Sequence, residues 1–225
     1  MPTQQNIYII RHSKVDLPYK SHLEMPYEVL SDLASGKLDP SIAPESRELF
    51  FKAAGTSLPL ESIDVIYFNN SDKQSRRSKE SAELVQGVIK EKYSRHVPLI
   101  GNPDVKEVDF DLPTILSKAE FEKHGMPAIR TALYKAEIEG KVVESIVHMY
   151  ERIARILDTM KQHERRGETA LIISHDFFMR VMEVYLAVTK NPGDVRLGHL
   201  EATILNTYFR GFGVLYNLQG FERLP

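Results

Sequence analysis

The chain has 225 residues, 42% of them hydrophobic and 27% charged, with a formal net charge of −2 and a pI near 6.5. That balance suits one globular domain over 1–225 and offers no basic surface for nucleic acid or an acidic membrane. The absence of cysteine excludes disulfides, zinc thiolates and cysteine nucleophiles, and with no signal core and no membrane-length apolar stretch a cytoplasmic protein is expected.

The first predicted element is the strand Ile7-Tyr8-Ile9-Ile10, which breaks abruptly into Arg11 and His12. In open α/β sheets ligands gather beyond the carboxyl ends of strands, so this pair is a candidate site. A polar segment with prolines, Ser13 to Pro44, follows, helical only over Tyr27 to Ala34. Its length marks a loop that covers something. A helix is expected from Pro44-Glu45 to about Ala54, and a second strand from Asp64 to Asn69.

The helix Ser75 to Lys92 has a buried stripe at Ser78, Ala82, Val85 and Ile89. Arg76 and Arg77 in its first turn oppose the helix dipole, and this local conflict points to a bound anion. A short strand is expected at Val97 to Ile100. The acids of Glu107-Val108-Asp109-Phe110-Asp111 alternate along the chain, which on its own reads as a solvated edge. Ser117 to Glu139 reads as helical, broken near Gly125-Met126-Pro127, and the stretch 113–140 is expected to be a helical insertion beside the sheet.

Val143, Ile146, Val147, Tyr150, Ile153, Leu157 and Met160 mark a long amphipathic helix ending at Gly167. Thr169 to Ser174 is a third buried strand, and it too runs into a histidine, His175. A helix over Phe177 to Val188 and strands over Ala202 to Arg210 and Gly213 to Leu218 complete the chain. Strands alternating with helices predict a three-layer α/β/α sandwich with a mainly parallel central sheet.

These strand ends offer Arg11, His12, Arg77 and His175, with acids at Glu107 and Asp176. The ordered set resembles the histidine phosphatase superfamily, the phosphoglycerate mutase-like proteins. Ile9-Ile10-Arg11-His12-Ser13 is similar to the family's strand followed by Arg-His-Gly. Arg77-Ser78-Lys79-Glu80-Ser81-Ala82 has its second arginine before a Ser-Ala pair, and Glu107 to Asp111 resembles its Glu-x-x-x-Gly segment. Val143-Glu144-Ser145 echoes its Gly-Glu-Ser, and Ile172-Ile173-Ser174-His175 its last strand. The chain departs from the pattern at Ser13, Lys14, Val15, Pro18, Lys73 and Asp111. The shift around Lys73 leaves Arg76 as an alternative to Arg77.

The resemblance implies a metal-independent phosphatase acting on a small phosphorylated molecule, with no cofactor. His12 would be the nucleophile that becomes phosphorylated. Arg11, Arg77 and His175 would bind the phosphate and stabilise charge in transfer. Glu107 would protonate the leaving alkoxide; Asp176, in a His-Asp pair as in another branch of the family, is the alternative acid. A mutase using the same intermediate, or a non-catalytic phosphate-binding protein of this fold, are the alternatives, although Lys14 and Pro18 fit the mutase pattern poorly. His199 precedes the strand expected at Ala202, where the resembled family places loop residues near the substrate. His22, His96, His124, His148 and His163 are expected at the surface. His12 and His175 have no third ligand in a matching motif, so no metal is expected.

Overall fold

The run of β-branched and aromatic residues at Ile7–Arg11 forms strand β1, and its side chains divide by parity. Ile7 and Ile9 enter one hydrophobic cluster, Tyr8 and Ile10 the other. Strand β4 (Thr169–Ser174) divides likewise, with Ala170 and Ile172 on the first face and Leu171 and Ile173 on the second. A strand buried on both faces is written as a continuous apolar run, which is how both read in the sequence. The computed structural model describes residues 7–19, 24–54, 58–141, 143–175, 177–179, 181–182, 185, 216–217 and 222–223.

After β1 come α1 (Tyr27–Ser35), α2 (Ser46–Ala54), β2 (Ile63–Phe68), α3 (Ser75–Tyr93) and β3 (Leu99–Gly101). Three short helices follow, α4 (Leu112–Ile115), α5 (Lys118–His124) and α6 (Met126–Ile138), then the long α7 (Ile146–Arg166) before β4. Strands β5 (Tyr216–Asn217) and β6 (Glu222–Arg223) close the described chain. The sheet order is β3-β2-β4-β1-β5-β6. The first four strands run parallel and the last two antiparallel to their neighbours.

Helix α3 covers one face through Ala82, Val85, Val88 and Ile89, joined by Phe50 from α2. Helix α7 covers the other through Met149, Ile153, Ile156 and Met160, joined by Phe178 and Met182 from the helical residues after β4. This is the expected three-layer α/β/α sandwich. Helices α1 and α4 to α6 share a third cluster, built on Leu30, Leu33, Leu112, Phe121 and Ile129. Helix α5 starts on a reciprocal cap, in which Ser117 Oγ accepts from Glu120 N and the Glu120 carboxylate accepts from Ser117 N.

Three expectations need correction. Helix α2 begins at Ser46, because Pro44 and Glu45 lie in a turn in which Ser46 N donates to Ala43 O and Ala43 N to Lys14 O. Strand β3 begins two residues late, since Pro98 has no N–H for a ladder and only its carbonyl is used, by Ile66 N. His163 is not on the surface. It is 6% exposed, with Tyr67 Oη 2.5 Å from its Nε2 and Glu168 Oε2 2.6 Å from its Nδ1. His96, His124 and His148 are exposed as expected. His22, His199, Asp176 and the strand expected at Ala202 to Arg210 lie outside the described residues.

Candidate active site

The register of the sheet decides which residues meet. β1 and β4 pair in parallel with Arg11 opposite Ser174, so the next residues, His12 and His175, leave the sheet side by side. His12 N donates to Ser174 O at 2.9 Å, extending the ladder by one bond. The two rings lie 5.1 Å apart between centroids, inclined at 59°. β2 flanks β4 on its other side with Phe68 opposite Ile173, which brings Asn69 to the same edge. The histidines are 5% and 0% exposed.

Both imidazoles are held well below the ordinary histidine pKa of 6.5. For His12 the causes are burial, then the charges of Arg77 and Arg11, then His175. For His175 they are burial, then Arg77, Arg11 and Arg152. Both rings are therefore neutral near pH 7. His12 Nδ1 lies 2.7 Å from the carbonyl oxygen of Ser13. A carbonyl only accepts, so Nδ1 carries the proton and Nε2 keeps a free lone pair.

Of the two arginines that open α3, Arg77 turns inward and is 7% exposed. Arg76 points outward, where its Nε donates to Glu80 Oε1 at 2.8 Å. Burial brings the Arg77 guanidinium down to about 10, while the nearby charges of Glu107 and Asp39 oppose that shift, so it is a cation at neutral pH. Gln74 orients it, with Oε1 accepting from Arg77 Nη2 and Nε2 lying 3.5 Å from Ala34 O. Gln74 has φ 53° and ψ 26°, a left-handed conformation rare for residues other than glycine. The dipole conflict read at this helix start is met in part from within the chain, since Asp39 Oδ2 accepts from Arg76 N at 2.8 Å.

Two serines one turn apart on α3 clip the strand ends together. Ser78 Oγ accepts from Asn69 N at 3.0 Å and donates to Ile173 O at 2.9 Å. Ser81 Oγ accepts from Ser13 N at 2.9 Å and donates to Arg77 O at 2.7 Å. Ser13, where the family pattern has glycine, is thus fixed through its amide. The buried atoms Ser13 Oγ, Arg77 Nε and His175 Nδ1 have no hydrogen-bond partner among the described residues. Buried polar atoms left without partners are costly, and two of the three belong to Arg77 and His175, residues expected to meet an anion.

Glu107 is no solvated edge. Its Oε1 accepts from Phe178 N at 2.9 Å and Val108 N at 3.0 Å, and Phe177 N lies 3.4 Å from Oε2. It therefore caps the helical residues that follow His175, and its charge is felt by Arg77. Its loop is held by Arg152, which donates through Nη1 to Asp104 O at 2.8 Å and Lys106 O at 3.0 Å. Arg152 pairs in turn with Glu144 of the Val-Glu-Ser element, Nη2 donating to Oε2 at 2.9 Å, and stacks 4.5 Å from the Phe178 ring centroid.

The sequence reading singled out Arg11, His12, Arg77, Glu107 and His175, and the structure brings the two histidines together at one sheet edge, within reach of the charges of Arg11 and Arg77, the latter in turn near Glu107. That reading missed Asn69, Gln74, Ser81 and Arg152. Ser81 had a signal in the Ser-Ala pair. The other three match no motif, and each is tied to at least one residue far away in the chain: Asn69 to His175, Gln74 to Ala34 and Arg152 to Asp104.

Two strand-end histidines thus lie within reach of the charges of the buried Arg77 and the partly buried Arg11. The family model of the histidine phosphatase superfamily (branch 1) matches residues 7–214, and this chain belongs to that superfamily. No curated protein matches it. Among solved structures it is similar to YhfR of Bacillus stearothermophilus, at 18% identity and TM-score 0.60, over 97% of this chain and 94% of that one. It is also similar to a mycobacterial glucosyl-3-phosphoglycerate phosphatase complexed with VO3, at 16% identity and TM-score 0.57, over 94% and 89%. A phosphoglycerate mutase from Bacillus anthracis matches at 16% identity and TM-score 0.55, over 95% and 88%. At these identities the likeness is one of fold.

Proposed function

We propose that this protein is a phosphomonoesterase that hydrolyses a small phosphorylated molecule through a phosphohistidine on His12. The observation that carries the reading is the bond from His12 Nδ1–H to Ser13 O. It leaves a neutral, buried Nε2 as the nucleophile, beside Arg77 and His175. Nε2 attacks phosphorus, the P–O bond to the alcohol breaks, and Glu107, which must take up a proton on forming the substrate complex, delivers it to the departing oxygen. Water then attacks phosphorus, Glu107 takes its proton, the N–P bond breaks and inorganic phosphate leaves. Arg11, Arg77 and the His175 N–H stabilise the equatorial oxygens in both steps, the part a metal ion plays in other phosphoryl-transfer sites.

A mutase would share the first step and return the phosphoryl group to a second hydroxyl. The surroundings of His12 favour hydrolysis. Lys14, where the family pattern has an acid or an amide, is turned to Glu45 at 2.6 Å, and Pro18 brings no side-chain donor to a second acceptor.

The test is rapid quench with labelled substrate, together with a screen of phosphate esters that includes phosphoglycerates. The expected result is phosphate release and an adduct that is lost in acid, stable in base and absent from His12→Ala. Isomerisation without release identifies a mutase. No turnover across the screen identifies a binding protein of this fold.

A further inference from the structure

Asn69 lies at the end of β2, is fully buried, and has both faces of its amide assigned by neighbours. Its Oδ1 accepts from Ser71 N at 2.8 Å and its Nδ2 donates to Lys73 O at 2.9 Å. Reversing the amide would set Nδ2 against the Ser71 N–H and Oδ1 against the Lys73 carbonyl, so the orientation is fixed. The second hydrogen on Nδ2 is left for His175, whose Nε2 lies 3.4 Å away. An imidazole nitrogen accepts only when it carries no proton.

We infer that Asn69 is a positioning residue that sets the tautomer of His175, keeping Nε2 unprotonated and the proton on Nδ1. Nδ1 is buried and has no acceptor among the described residues. A neutral ring locked this way presents one N–H donor, and that donor is suited to a phosphate oxygen. His12 and His175 thus have the same tautomer for opposite duties. His12 Nδ1–H is spent on a backbone carbonyl so that Nε2 can attack, and His175 Nε2 is spent on Asn69 so that Nδ1–H can donate. The groups that bear on the charge state of His175 are Arg77, Arg11 and Arg152, and the His12 ring packs beside it. All three charges are positive and disfavour a second proton. They do not choose between the two neutral tautomers, and Asn69 does. The donor duty given to Nδ1–H rests on the phosphatase reading, whereas the tautomer itself does not.

The experiment is histidine-labelled ¹⁵N spectroscopy of the full chain, with His175 assigned by loss of its signals in His175→Gln. The expected wild-type result is a neutral His175 with the proton on Nδ1, whose signal shifts when vanadate is added. In Asn69→Asp the carboxylate demands a proton from Nε2, so the ring changes tautomer or becomes cationic, and vanadate inhibition weakens at least tenfold. Asn69→Ala, with no preference, gives a mixture of tautomers. A urea midpoint for each variant separates these effects from unfolding. The inference is overturned if wild-type His175 carries its proton on Nε2, or if folded Asn69→Asp keeps the wild-type tautomer. Should the tautomer be as inferred while neither vanadate nor any ester engages the site, the phosphatase reading falls and the role of Asn69 in setting the tautomer stands.

Discussion

Replacing Glu144 by glutamine removes one charge from a pair whose side chains are only 6% (Arg152) and 9% (Glu144) exposed. Arg152 Nε lies 2.7 Å from Glu144 Oε1 without aiming its hydrogen at it, while Nη2 makes the hydrogen bond to Oε2. Glutamine keeps an acceptor for Nη2 but leaves the guanidinium without a counter-charge. Breaking a buried pair from one side costs about 3–5 kcal/mol, because the remaining ion is still desolvated. With a urea m-value of roughly 3 kcal/mol per M for a chain of this size, the unfolding midpoint should fall by about 1–2 M. The double variant Glu144→Leu/Arg152→Met removes both charges and should recover about half of that loss. Full recovery is not expected, because the carbonyls of Asp104 and Lys106 lose their donor. A midpoint for Glu144→Gln within about 0.3 M of wild type, equivalent to about 1 kcal/mol, would refute the reasoning and place the pair with exposed ones.

Stability should fall as pH drops below about 6.5, because both site histidines are neutral in the folded chain and take up protons on unfolding. Each contributes about 1.4 kcal/mol per pH unit until its lowered folded value is passed. In phosphate-free buffer, His12→Gln/His175→Gln should flatten the slope between about pH 6 and 5 by about 2 kcal/mol per unit, and an unchanged slope would mean that the rings are not buried and neutral. Gln74→Gly removes the partner of Arg77 but relieves a left-handed conformation worth roughly 1–2 kcal/mol, so the urea midpoint should change little. Vanadate inhibition should nevertheless weaken about tenfold or more, from loss of a hydrogen bond to a charged group; unchanged inhibition would show that Gln74 does not orient Arg77. Glu107→Gln should slow hydrolysis of an alkyl phosphate by about 10²–10⁴-fold and of p-nitrophenyl phosphate much less, since nitrophenolate leaves with little help. If Asp176→Asn gives that selective loss instead, the acid is Asp176.

What the sequence displays is whatever depends on near neighbours. Alternation and apolar runs expose β1 and β4, and two runs ending in histidine expose the edge where ligands gather. The choice of Arg77 over Arg76 is set by helix phase, since Arg77 shares the inward face of α3 with Ser78 and Ser81. What is hidden depends on pairs far apart in the chain. His163 looks like a surface residue in a basic helix end until Tyr67, 96 residues away, supplies a hydroxyl. Gln74 shows no preference for a left-handed turn, and its contact with Ala34, 40 residues away, is not visible in the sequence. The role of Glu144 is equally invisible, because its partner Arg152 is defined by the carbonyls of another loop.

Lys14, Lys73 and Asp111, three positions where this chain departs from the family pattern, are each held by a partner within the chain. Lys73 extends Nζ to Asp109 Oδ1 at 3.4 Å, and Lys106 meets Asp109 Oδ2, so one carboxylate joins the turn before Arg77 to the loop that carries Glu107. The carbonyl of Lys73 accepts from Asn69 Nδ2 at 2.9 Å and from Ser71 Oγ at 3.0 Å, which fixes the same turn from inside. Lys14 is held outward by Glu45, and Asp111 stands immediately before α4, where its carboxylate accepts from Thr114 Oγ1. None of these side chains supplies the nucleophile, the inward arginine or the second histidine. Of them, Lys73 lies in the turn before Arg77 and, through Asp109, is tied to the loop that carries Glu107. On the proposed phosphatase reading, these changes spare the catalytic groups and fall on the segments beside them. On that reading, substitution of Lys73 or Asp109 should alter the choice among phosphate esters before it alters the chemistry at His12, and an equal loss with every ester would refute this.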